Sequence, residues 1–562
     1  LNNLRKEKEM RNKLFLIFLI LLFTSLTGYS RESLQSDIIF STNISDTTKI
    51  TRLNINNIST SFTNNGLSDQ NLDQFYAFIF HKDLYLETFY WTGFLWGGKI
   101  DGEVRVGGTT YRSGIKPAGD GNIYRVRRDY INGDVSTEIR ENEGTEEEIR
   151  AKYKHDWDNW PASEGAPYED LNNNGSYEPE IDIPGIPNAD QTIWFKANDF
   201  DTTQTKYLYG SLPMGIELQA TYWAYHRDSS LDNMIFRKYK IINRSTKEIK
   251  QMYCSIFTDP DIGHVGNDYV GYDWVNSLAY VYNSSDVDEA LNYPPHSAGF
   301  CLLKGPTVHK ENIGVSSFNF YVNGSVDYHN PVYLSYNDGT LMMYNLFQGK
   351  PTEDNYYKIP DEYGGGYTPF PLAGDPVTGE GWLDGTVKGP DGHLYGPGNR
   401  NMGFSTGEFD LKPGEFQEII YSQLCAGGIG YSSRFEGIDS LRAHSKFAKE
   451  FYKTISDKIT SIEKEEENIP ANYMLYQNYP NPFNPTTTIE YNLPIESNVK
   501  LEIYNSLGQL VNILVKGYQN AGRQKVIWNG KNLTGSSAAS GIYFYRLQAS
   551  EFTQTMKMIF IK

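Results

Sequence analysis

A chain of 562 residues with 14% aromatic content, 42 Tyr, 51 Gly and 25 Pro is long enough for two or three domains, and its texture favours strands and turns over helices. Its formal net charge of −18 argues against a nucleic-acid or anionic-membrane partner, since phosphate binding needs a basic surface. Three Cys (Cys254, Cys301, Cys425) imply no disulfide framework. Each sits in an apolar strand-like run, which favours buried free thiols over a single Cys254–Cys301 bond.

In chain order, Met10 opens a secretory signal: Arg11 and Lys13, an apolar run from Leu14 to Phe23, then small residues at Gly28 and Ser30, with cleavage expected before Arg31. The apolar run is about half the roughly twenty residues that a membrane anchor needs. The body, 31–460, is expected to be mainly β, a sandwich-rich fold in one or two subdomains with no internal repeat. Ile50 to Phe62 reads as a first edge strand. Phe75–Phe80, Tyr85–Trp96, Gln191–Phe195, Gly215–Tyr225 and Met234–Ile242 read as further strands, and Asp101-Gly102 as a two-residue hairpin turn between alternating flanks. Their Trp and Tyr residues are either core or a sugar-stacking platform, with core the commoner role.

Two segments carry possible chemistry. Asp170-Leu-Asn-Asn-Asn-Gly-Ser-Tyr-Glu-Pro-Glu-Ile-Asp182 places Asp170, Asn172 and Asn174 at positions 1, 3 and 5 of a Ca²⁺ loop, Gly175 at 6 and the Ser176 carbonyl at 7. At position 12, where a bidentate Glu belongs, Ile181 stands between Glu180 and Asp182. The expected metal ligands are Asp170, Asn172, Asn174, Ser176 and Asp182, with a solvated Asn-Gly turn as the competing reading. The second segment, Asp259 to Asp273, holds four Asp in fifteen residues. It could bind a second calcium, supply a catalytic acid and base, or be purely structural, and the structural reading is the commoner one. His-Glu-x-x-His, Gly-x-Ser-x-Gly, Walker and dinucleotide motifs do not occur, which removes zinc proteases and serine hydrolases as first choices and leaves carboxylate-only enzymes open.

Residues 333–391 read as turns. A helix follows, with Leu441, Phe447, Phe451, Ile455 and Ile459 as its apolar stripe, and then an acidic linker, 461–475, containing Glu463–Pro470. In Tyr476-Gln-Asn-Tyr-Pro-Asn-Pro-Phe-Asn-Pro485, three prolines hold an extended lead-in to six or seven short strands, as in a small β-sandwich. Val499, Leu501 and Ile503 share the inward face of one of them.

This tail, with Leu507-Gly-Gln-Leu-Val511, Ala539-Ser-Gly-Ile-Tyr-Phe-Tyr545 and Lys557-Met-Ile-Phe-Ile-Lys562, resembles a type A C-terminal sorting domain of the type IX secretion system over 476–562. The resemblance implies an Ig-like fold, an outer-membrane translocon as partner, a secreted or cell-surface destination, and cargo that is released or attached to lipopolysaccharide. The body resembles an uncharacterised region found ahead of such domains, through Leu95-Trp-Gly-Gly-Lys99, the Asp170 loop, Ala189-Asp-Gln-Thr-Ile-Trp194, Pro213-Met-Gly-Ile-Glu217 and Gly374-Asp-Pro-Val-Thr-Gly379. That likeness implies no activity. The resulting expectation is a calcium-stabilised binding or structural surface component with a glycan among its candidate ligands. The alternative is a polysaccharide-acting enzyme that uses carboxylates.

Overall fold

The computed structural model describes residues 48–70, 78–82, 86–227, 229–351, 355–389, 392–459, 473–494, 497–519, 522–550 and 552–562. The signal segment and the acidic run Glu463–Pro470 lie outside these. The chain divides into two compact units between Ile459 and Thr460.

The first unit is a two-sheet sandwich. One sheet runs Ile50–Leu53, Ile58–Thr63, Phe78–Phe80, Leu86–Ile100, Ile249–Pro260, Arg400–Leu411, Val315–Val322, with Glu103–Gly108 also paired to Leu86–Ile100. The other runs Asp268–Asp273, Leu278–Asn283, His296–Lys304, Phe416–Gly427, Met234–Asn243, Ile216–Ala224, Gln191–Asn198, Lys116–Pro117, with Ile123–Arg127 also on Gln191–Asn198. The hairpin expected at Asp101-Gly102 is present: Ile100 pairs with Glu103, and φ is 53° and 85° at the two turn residues, the left-handed pair that such a turn requires.

Alternation decides what meets between the sheets. Phe94, Trp96, Cys254, Ile256 and Phe404 point inward from the first sheet to meet Phe195, Tyr222, Tyr239, Tyr421 and Cys425 from the second. Phe94 stacks on Tyr239 at 4.0 Å and Phe62 on Tyr222 at 4.1 Å between ring centroids. Each such side chain removed from water contributes about 1.5–3 kcal/mol. Among the described residues the Trp and Tyr of the predicted strands are core almost throughout, and Tyr90, 47% exposed, is the main exception. All three cysteines are free and buried. Cys301 belongs to the opposite face of the second sheet, in a different apolar cluster from Cys254, so the two thiols are not partners.

That opposite face is covered by the helix Arg434–Ile459 through Ile438, Leu441, Ala448, Ile455 and Ile459. Phe447, placed on the stripe by sequence, is instead 40% exposed and stacks on Phe451. Helices also form at Glu146–Asp158 and Thr202–Tyr209, and a π-helical turn Tyr336–Leu341 runs into the short helix Met342–Phe347 within the stretch read as turns.

The second unit is a small sandwich of a three-stranded sheet (Met474–Leu475, Thr487–Leu493, Gly522–Trp528) and a four-stranded sheet (Leu510–Gln519, Ser497–Asn505, Gly541–Ala549, Phe552–Phe560). Val499, Leu501 and Ile503 are buried, as alternation predicts. The proline segment is more than a lead-in. Its Phe483 is 2% exposed, stacked on Phe560 at 4.8 Å and tilted against Trp528 at 5.5 Å, so it is part of the core.

Candidate functional site

The Asp170 loop is closed at its base by Tyr168–Glu169 pairing with Ile183–Pro184. Within it the Asp170 carboxylate accepts from the N–H groups of Asn174 (3.2 Å) and Gly175 (2.8 Å), and Gly175 has φ 75°, a value that suits glycine. The Asn172 side-chain oxygen accepts from Asn174 N–H at 3.1 Å, and that of Asn174 from Ser176 N–H at 2.7 Å. The Asn172 and Asn174 amides both donate to one oxygen of Glu178, at 2.6 and 2.9 Å. Asp182 is buried at the base, where its carboxylate accepts from Leu171 and Glu178 N–H groups at 3.0 and 2.8 Å.

The structure therefore gathers Asp170, Asn172, Asn174 and Glu178, with Ser176 taking part through its backbone and Asp182 locking the base. Glu178 was missed from sequence, although position 9 of such a loop is a ligand position. Two carboxylates, two side-chain amides whose O and N ends can exchange, and main-chain carbonyls fit a hard cation; no thiol or imidazole is among them. Among the described residues no three His, Cys, Asp or Glu side chains are grouped to hold a metal, so an ion here would rely on the Asn and backbone oxygens.

Within the Asp259 segment His264, Val265 and Gly266 are exposed, but Asp259 and Asp268 are buried and Asp261 is half-buried. Asp259 lies opposite Trp91 near the end of the strand Ile249–Pro260, and alternation turns it to the outer face of the first sheet with Tyr253 and Phe257. Gly93, on the neighbouring strand, lets the chain cross directly over this face: a Cβ there would come 2.0 Å from the Thr109 carbonyl oxygen. The crossing segment stacks Tyr111 with Tyr90, ring centroids 6.2 Å apart and planes within 10° of parallel. Further along, Arg112 lies between the rings of Tyr333 (4.3 Å) and Tyr207 (4.6 Å), and Tyr333 stacks on Tyr209. Tyr90 and Tyr207 are exposed, and Tyr111 and Tyr333 are half-buried.

Beneath these rings Asp259 keeps only 9% of its surface, Asp261 is half-buried and Asp268 is fully buried. One oxygen of each carboxylate is sealed from solvent without a hydrogen-bond partner. Burial, then the charge of Asp261, holds Asp259 well above the usual carboxylate range, while a Trp91 hydrogen bond pulls the other way. Burial and then Glu87 push Asp261 up to about 7. Burial and then Asp261 hold Asp268 well above its ordinary value. Other buried carboxylates are compensated: Asp69 by Arg237, Asp384 by Arg400, Glu138 by Arg127, and Asp199 by the N–H groups of Met214, Gly215 and Ile216. Among the described residues no ion pair reaches Asp259, Asp261 or Asp268.

A cleft of about 470 Å³ lies elsewhere, lined by Asn57, Lys82, Asp134, Ser136, Arg140 and His226 among others. It offers no Phe, Tyr or Trp face for a ligand to stack on, and the carboxylates above are not part of it.

Residues 477–562 match the family described as the secretion system C-terminal sorting domain. No curated protein matches the chain. Among solved structures, FlgD from P. aeruginosa is 31% identical over 13% of this chain and 57% of its own, with a TM-score of 0.12. A polysaccharide lyase is 8% identical over 62% of this chain and 34% of its own, with a TM-score of 0.17. Dimeric latent PorU from Porphyromonas gingivalis is 11% identical over 66% of this chain and 31% of its own, with a TM-score of 0.15. The chain thus spans less than two thirds of each, and similarity this low carries no argument about its body. The sorting domain does: it marks the chain as cargo that engages the type IX secretion machinery and is exported to the cell surface or beyond. Among the described residues no helix is long and apolar enough to cross a membrane.

Proposed function

We propose that the body of this type IX secretion cargo serves outside the cell as a glycan-binding surface component, steadied by calcium at the Asp170 loop. The observation that carries the reading is the stacked, near-parallel Tyr90 and Tyr111 pair at the surface near Asp259. The exposed Tyr90 ring, backed by the parallel ring of Tyr111, matches the apolar face of a sugar ring. Because carboxylates line this patch and the chain carries a net charge of −18, the ligand is a neutral glycan rather than an acidic one. Residues 10–30 act as the leader, and after export the body is either released or attached to lipopolysaccharide, alternatives that the mass of the exported chain separates.

Affinity electrophoresis in soluble neutral polysaccharides tests the binding: retardation of the wild type that Tyr90→Ala removes supports it, and equal mobility of both proteins in every gel sinks it. Calcium is tested by melting in calcium and in excess chelator. A native-state ligand at 100 times its Kd adds about 2.7 kcal/mol, so chelation is expected to lower the body's Tm by several degrees, and Asp170→Ala to abolish the difference. An unchanged Tm would reduce the loop to an Asn-Gly turn.

A further inference from the structure

The glycan-binding reading leaves the buried carboxylates themselves unexplained, and a binding platform does not require them. Placing a carboxylate in the interior without a partner is costly, so proteins pair such groups, bind metal with them or keep them protonated for use. Pairing is not found here, and the groups are not arranged around a metal. A held proton is what remains.

Resting on the glycan-binding reading, we propose that Asp259 and Asp261 are the acid and base of a hydrolytic centre that cleaves the neutral glycan packed against the Tyr90–Tyr111 stack.

Four features support the assignment. The two residues are i and i+2 at the end of one strand, and Pro260 between them fixes the backbone. They differ in surroundings: Asp259 faces Asp261, Trp91, Tyr111 and Tyr333, whereas Asp261 faces Asp259, Glu87 and Asp268, and no cation is among these neighbours. Asp268, on the separate strand Asp268–Asp273 and fully buried with an oxygen free, is itself raised by burial and then by Asp261, so the cluster keeps protons where isolated carboxyls would lose them. Asp259, the deeper and more apolar of the two, is the acid, and half-buried Asp261 is the base. Acids and bases of one site are separated by environment in this way.

In the step itself, the Asp259 carboxyl gives its proton to the glycosidic oxygen as the bond from that oxygen to the anomeric carbon breaks. The Asp261 carboxylate takes a proton from a water whose oxygen bonds to the same carbon. One water is consumed, one new reducing end and one free hydroxyl appear, and transfer of a proton from Asp261 back to Asp259 through solvent restores the pair. Neither cofactor nor oxidant is required.

The test measures binding and cleavage separately on the full chain, with soluble β-glucan, xylan and mannan as probes, affinity electrophoresis for binding and released reducing ends for cleavage. The wild type is expected to bind and cleave at least one of the three. Asp259→Asn and Asp261→Asn are each expected to keep binding while cleavage falls about 100-fold or more, the range for loss of a general acid or base. Tyr90→Ala is expected to lower both together. Both Asn variants keep nearly the same side-chain shape, and their melting curves confirm folding. A wild type that binds without releasing reducing ends, or Asn variants that cleave at the wild-type rate, would overturn the hydrolytic assignment and leave the platform standing. Absence of binding to all three probes would overturn both.

Discussion

Asp259, Asp261 and Asp268 make the pH dependence of this fold run opposite to that of a protein held by ion pairs. A carboxyl whose folded pKa is raised binds a proton more tightly in the native state, so its contribution is complete below the unfolded pKa and is lost as pH rises through the folded one. For Asp261 that window opens near 3.8 and reaches about 7, and the raised values of Asp259 and Asp268 extend the loss upward. Asp259→Asn is therefore expected to raise the Tm at pH 8 by about 2 °C or more and to change it little at pH 4.5. A difference between variant and wild type that stays flat across that range would mean that no charge is buried there. The compensated case behaves differently. Arg237 donates to both Asp69 oxygens at 2.7 and 2.8 Å, to Ser68 at 2.9 Å and to Gln423 at 2.8 Å, all within the sandwich core. Asp69→Ala strands that guanidinium and is expected to cost about 3–5 kcal/mol in urea unfolding, whereas loss of a surface pair such as Lys412 with Glu415 would cost little.

At the scale of elements, the helix Arg434–Ile459 separates two apolar residues that sequence alone treats alike. Leu441 is fully buried against the second sheet, and Leu441→Ala is expected to cost about 2–5 kcal/mol. Phe447→Ser is expected to cost under about 1 kcal/mol, since surface changes are nearly neutral; equal losses at the two positions would contradict this packing. The misplacement has a plain cause: four-residue steps drift around a helix of 3.6 residues per turn, whereas the buried stripe Ile438, Leu441, Ala448, Ile455 and Ile459 keeps to steps of three, four and seven. The Asp101-Gly102 hairpin and most long strands were legible because their signals are local. Glu146–Asp158 was legible and overlooked, its start marked by the reciprocal capping of Thr145 and Glu148. The Asp170 loop was legible in its Asn and Gly spacing. The setting of Asp259 was not, because what makes it buried is a chain crossing at Thr109–Arg112, about 150 residues earlier, permitted by the missing side chain of Gly93.

At the scale of the whole molecule, export and activity are assigned to different units, and their separate cores give that division a measurable form. The C-terminal unit buries Leu475, Phe483, Tyr491, Leu501, Trp528, Tyr545 and Phe560 around one centre of its own. Nothing in that cluster comes from the body, so residues 473–562 carry the apolar contacts that a domain of this size needs to fold alone. Trp528 is the single Trp beyond Ile459, and at 1% exposure its fluorescence reports this unit without contribution from another indole in the fragment. The isolated fragment is expected to unfold in one cooperative transition with a red shift of Trp528 emission. Phe483→Ala empties the space between Phe560 and Trp528 and is expected to destabilise it by about 3–5 kcal/mol. In the full chain the same substitution is expected to lower one thermal transition and leave the body's in place. A fragment without a transition, or a substitution that moves both, would mean that the signal for export is not an independent domain, and that the body's fold depends on the tail that directs it outward.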